Sequence, residues 1–170
     1  MVLLDGFAPP PNTIKINVDA AISDQRSTLS VVVRNEKGEL LKAWAKHTDG
    51  GDTLEANTHA VLWALELALL EGFQDIIIEG DAKLCLDAIG DKSVSSWTIG
   101  SLIDNIGERS NFFMSFSFCW VKRDANYVAH ALAKFASSLS SISSPFCFDK
   151  SSIPQAVWDA WKLDVLTFPL

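Results

Sequence analysis

The chain has 170 residues, 48% of them hydrophobic, which suits one compact domain with a real core and excludes disorder over most of its length. Its net charge of −7, from 14 basic and 21 acidic residues, lowers the expectation of strong nonspecific nucleic-acid binding without excluding a local basic patch. No apolar run is long enough to span a membrane, so no membrane partner is expected. The opening Met1-Val2-Leu3-Leu4-Asp5 lacks the basic start of a signal peptide. Cys85, Cys119 and Cys147 are odd in number and far apart, and they read as reduced, buried thiols of an intracellular protein, nuclear or cytoplasmic.

Pro9-Pro10-Pro11 is stiff and lacks backbone donors, so residues 1–11 read as a lead-in and the domain begins at residue 12. Ile14, Ile16 and Val18 alternate with polar residues as in a half-buried strand that Asp19 closes. Leu29 to Arg34 is a strand-forming run, Asn35-Glu36-Lys37-Gly38 a turn, and Glu39 to Lys46 a returning strand, which together make an antiparallel meander. Asp52-Thr53-Leu54-Glu55 has the form of a helix-capping box, and the helical spacing that follows ends at Gly72. Ile76 to Glu79 reads as a buried strand, parallel to the first because a helix separates them. Helices are expected over Asp81 to Ile89 and Trp97 to Arg109. An aromatic strand runs from Phe112 to Trp120, and a last helix from Asn126, its N-cap, to Ser138. Trp44, Trp63 and Trp120 lie in core-forming patterns and are expected to pack. The domain is therefore bounded at 12–138, with 139–170 a serine-rich linker followed by a short helical tail opening at Pro154. The fold class is α/β, with a five-stranded mixed sheet flanked by helices.

Two segments carry the motifs. Lys15-Ile16-Asn17-Val18-Asp19-Ala20 and Ile78-Glu79-Gly80-Asp81-Ala82 each place an aspartate at the end of a strand, and the two strands should lie side by side. Asn126-Tyr127-Val128-Ala129-His130-Ala131-Leu132-Ala133-Lys134 opens the last helix. In these motifs and in element order the chain resembles the type-1 ribonuclease H-like domains of the plant, retrotransposon and reverse-transcriptase-related family, over roughly residues 9 to 136. The resemblance implies the ribonuclease H-like fold and an ancestral activity, metal-dependent cleavage of the RNA strand of RNA–DNA hybrids. Such chemistry uses two Mg²⁺ (or Mn²⁺) ions roughly 4 Å apart, held by four carboxylates.

By the resemblance the four catalytic positions are Asp19, Asn57, Asp81 and His130, with Asp19 and Asp81 the metal ligands. The second departs from the family's glutamate: Ala56-Asn57 stands where the pair Ala-Glu is usual. Glu55 lies two residues away, roughly 200° around the helix, and cannot substitute. The fourth is His130, where efficient members have aspartate, and imidazole is a poor ligand for Mg²⁺. The loop after Asp19, residues 22–30, has no glycine where the family brings backbone close to RNA 2′-hydroxyls. Half the expected negative charge is missing, so the site is expected to be degenerate and any metal weakly held. Lys122, Arg123 and Asn126 are the candidate nucleic-acid contacts. The expected partner is RNA–DNA hybrid or another nucleic acid. An active hydrolase using Asn57 and His130 as ligands, and a protein-interaction module, are the alternatives.

Overall fold

The computed structural model describes residues 9–90, 97–139 and 145–167. Residues 1–8 of the lead-in and 140–144 of the serine-rich stretch lie outside the described residues. In chain order the elements are β1 (Ile14–Ile22), β2 (Arg26–Arg34), β3 (Leu40–Asp49), α1 (Thr53–Leu70), β4 (Asp75–Gly80), α2 (Lys83–Gly90) and α3 (Trp97–Ser110). They continue with β5 (Ser115–Trp120), a 3₁₀ turn (Arg123–Asn126), α4 (Tyr127–Ser137), β6 (Phe146–Asp149) and α5 (Gln155–Thr167).

One mixed sheet has the order β5-β4-β1-β2-β3-β6. β1, β2 and β3 form the expected antiparallel meander, while β4 joins β1 and β5 joins β4 in parallel. The sheet has six strands, not five. The extra one, β6, lies in the stretch read as linker and pairs antiparallel with β3, from Lys42↔Asp149 to Ala45↔Phe146. Its Phe-Cys-Phe core is β-prone, and β3 would otherwise be an open edge.

Alternation along the strands assigns side chains to two layers. Ile16, Val18, Val31, Val33, Ile76 and Ile78 join Ala60, Ala64 and Leu65 of α1 in one buried cluster. Val32, Ala43 and Ala45 join Val128, Ala129 and Leu132 of α4 and Val157 and Ala160 of α5 in another. This is why Val31-Val32-Val33 is apolar without a break: both faces of β2 are covered. On β1 the α4 side carries Asn17 and Asp19 instead of apolar residues, so the site lies beneath α4.

Three local expectations are corrected. Asp19 sits inside β1, paired with Ser30, and the strand runs on to Ile22. Cys147 is exposed on β6, while Cys85 and Cys119 are buried. Trp44 and Trp63 are packed, but Trp120, the last residue of the edge strand β5, is exposed.

Candidate nucleic-acid site

The site is built where β1, β4 and the start of α4 meet. Ser30 Oγ donates to the main-chain oxygen of Ala129 at 2.7 Å and so holds α4 against the sheet. That contact places His130, on the next position of α4, beside Asp19. His130 Nδ1 lies 3.0 Å from Asp19 Oδ2. Asp19 is 6% exposed. Burial raises its pKa above the ordinary 3.8, the charge of Asp81 raises it further, and the Ala20 amide and His130 pull it back.

Asp81 follows β4 directly. Its Oδ2 is 3.0 Å from Arg123 Nε, and its main-chain oxygen accepts from Trp120 Nε1–H at 3.2 Å. The bond to Asp81 raises the pKa of the Arg123 guanidinium. Lys122 and Arg123 are both exposed, as contacts to phosphate require.

Asn126 is not an open contact. It is fully buried, its Nδ2 donates to the Val18 oxygen at 2.8 Å, and its Oδ1 accepts from Asn17 Nδ2 at 3.1 Å. Nor does its side chain cap α4, because the 3₁₀ turn before the helix already orders that corner. Asn126 is instead the tether of α4 to β1. Asn17 itself accepts from Arg34 Nε and Nη2 at 3.1 and 2.7 Å and donates to Glu79, which also pairs with Lys15. Arg34 then reaches Asp164 of α5.

Motif reading names Asn17 only as part of a pattern, and it misses Arg34 and Asp164. The one available signal is that Asn17 and Asp19 share a strand face, so a polar Asn17 beneath a helix needs buried partners.

Asn57 lies on α1, 6% exposed, and its Nδ2 donates back to the Thr53 oxygen of its own helix at 2.9 Å. Its side-chain bond therefore runs along α1, not to either aspartate. Among the described residues no three His, Cys, Asp or Glu side chains come together closely enough to hold a metal ion. A pair of Mg²⁺ takes oxygen ligands, chiefly carboxylates, and the side chains at the four motif positions are two aspartates, an amide and an imidazole. Each aspartate already meets a nitrogen donor, Asn57 is neutral with its amide turned inward, and His130 is a nitrogen donor where hard ions take oxygen.

Residues 17–136 match the family described as reverse transcriptase-like. No curated protein sequence matches the chain. Several solved structures share the fold. The RNase H1 of the archaeon Halobacterium salinarum superposes with a TM-score of 0.68 at 22% identity, over 73% of this chain and 96% of that one. The N-terminal RNase H domain from Mycobacterium tuberculosis, studied as a maltose-binding-protein fusion, gives 0.67 at 18% identity, over 73% and 92%. LC11-RNase H1, isolated from compost by a metagenomic approach and solved in complex with RNA/DNA hybrid, gives 0.66 at 20% identity, over 74% and 99%. At these identities what is shared is the ribonuclease H-like fold.

Proposed function

This chain belongs to the reverse transcriptase-like family, and from that premise we propose that it is a nucleic-acid-binding ribonuclease H-like domain whose ancestral hydrolytic site is closed. The observation that carries the reading is the pairing of the two aspartates. His130 stands 3.0 Å from Asp19 and Arg123 stands 3.0 Å from Asp81, so positive or hydrogen-bonding groups of the chain occupy the role that divalent ions would have. A carboxylate whose lone pairs are engaged, and whose charge is offset, attracts a cation less. Two missing carboxylates, at Asn57 and His130, weaken the site further. The exposed Lys122 and Arg123 beside it supply phosphate contacts. One of the solved neighbours, LC11-RNase H1, was captured on RNA/DNA hybrid, which supports nucleic acid as the ligand class for this fold's cleft.

The test is incubation of the protein with labelled RNA–DNA hybrid, single-stranded RNA and single-stranded DNA, in Mg²⁺ and separately in Mn²⁺, with gel shifts run alongside. The expected result is retarded nucleic acid with no cleavage in either ion. Hybrid cleavage that disappears in the Asp19→Asn variant would overturn the closed-site reading and make Asn57 and His130 working ligands. Neither cleavage nor retardation would overturn nucleic-acid binding and leave a protein-interaction module.

A further inference from the structure

Two aromatic rings stand open beside the Asp19–Asp81 site, and the packing pattern accounts for neither. Trp120 is 37% exposed, and its Nε1–H holds the main-chain oxygen of Asp81 at 3.2 Å. Tyr127, the first residue of α4, is 43% exposed, with its ring centroid 6.0 Å from that of His130, the partner of Asp19. Each ring is therefore tied to one side of the carboxylate pair. Arg123 joins them in the same rim, bonded to Asp81 with 71% of its side chain exposed.

An exposed ring can stack only on a base that is itself unstacked, and in a duplex every base already has neighbours. Duplex binding by contrast draws its affinity from many phosphate contacts. Two basic groups near the sheet are already committed here: Lys15 pairs with Glu79, and Arg34 with Asp164. The net charge of −7 adds long-range repulsion for a densely charged duplex. The rim thus offers stacking and two adjacent exposed basic groups, Lys122 and Arg123, in place of a long basic track.

We propose that the cleft binds unpaired nucleotides of single-stranded RNA or DNA, with Trp120 and Tyr127 stacking on bases and Arg123 meeting the phosphate between them. This rests on the reading of the domain as a nucleic-acid binder and names which form of nucleic acid it takes.

The experiment is fluorescence anisotropy with short labelled single-stranded RNA, single-stranded DNA of the same sequence, and their blunt-ended hybrid, over a range of salt. Both single strands are expected to bind more tightly than the blunt hybrid, and the stronger of the two identifies the sugar preferred. Tyr127→Ala is expected to weaken single-strand binding about tenfold, while Tyr127→Phe keeps it, as stacking requires. Arg123→Gln is expected to lower the salt slope by about 0.7, the share of one phosphate on a single strand. Tyr127 is exposed, so its variants should melt like the parent, and circular dichroism checks this. Tighter binding of the blunt hybrid, or unchanged affinity in Tyr127→Ala, would overturn this inference and leave nucleic-acid binding standing. No binding of any of the three would overturn both.

Discussion

Asp19 stands at the centre of the proposed site, and its environment works against its charge. Burial is the largest influence and raises its pKa, with Asp81 adding to it and His130 only partly opposing. A carboxyl that binds its proton more tightly in the folded chain than in the unfolded one favours folding in acid. Its contribution is most favourable below the ordinary value of 3.8 and becomes a deficit as pH rises through the raised folded value. Asp19→Asn removes that deficit, so the variant should melt at a higher temperature than the parent at pH 7, with the gap narrowing as pH falls toward 4. Equal or lower Tm at pH 7 would mean that the His130 contact outweighs burial. At this scale short motifs mark Asp19, Asp81 and His130, and the structure brings His130 within 3.0 Å of Asp19. The role of Asn126 was not. Its polar, helix-opening position reads as a cap or a phosphate contact, and only the approach of β1 shows it to be a buried tether.

Among the elements, α1 is the one whose ends were legible in advance, because both are settled by local chemistry. Asp52 accepts from the Glu55 amide at 2.7 Å as its N-cap. At the other end Gly72 has φ 76°, and the Phe73 amide bonds back to the Ala68 oxygen at 3.0 Å, so the helix closes in a left-handed turn. Space is open around Gly72, so a methyl group there meets no neighbour and only the backbone conformation resists it. Gly72→Ala is therefore expected to cost about 1–2 kcal/mol of stability, measured by urea unfolding with an unchanged m-value. β6 shows the opposite case. Phe146 to Asp149 is too short to announce a strand against the surrounding serines, and it exists because β3 offers an unpaired edge.

For the whole molecule the consequential feature is how the C-terminal segment joins the domain. α5 buries Val157 and Ala160 against α4 and β3, and Trp161 Nε1–H donates to the Gly38 oxygen at 2.8 Å. Asp164 closes an ion pair with Arg34 in which the side chains are only 10% and 7% exposed. Arg34 in turn holds Asn17, so the pair supports the polar chain that reaches Asn126 beneath the cleft. Asp164→Ala leaves a buried guanidinium without its counter-charge and should destabilise the protein by about 3–5 kcal/mol in chemical unfolding. A loss below about 1 kcal/mol would show the pair to be solvated and the tail loosely held. Periodicity, caps and motifs act over a few residues, and local pattern therefore marks the meander, α1, the parallel β4 and the strands and helix that carry Asp19, Asp81 and His130. Tertiary structure alone decided the sixth strand, the docking of α5, the exposure of Trp120 and the partners of the two aspartates. Each of these depends on contacts such as His130 with Asp19, 111 residues apart, whose energy comes from burial and charge that no local pattern records.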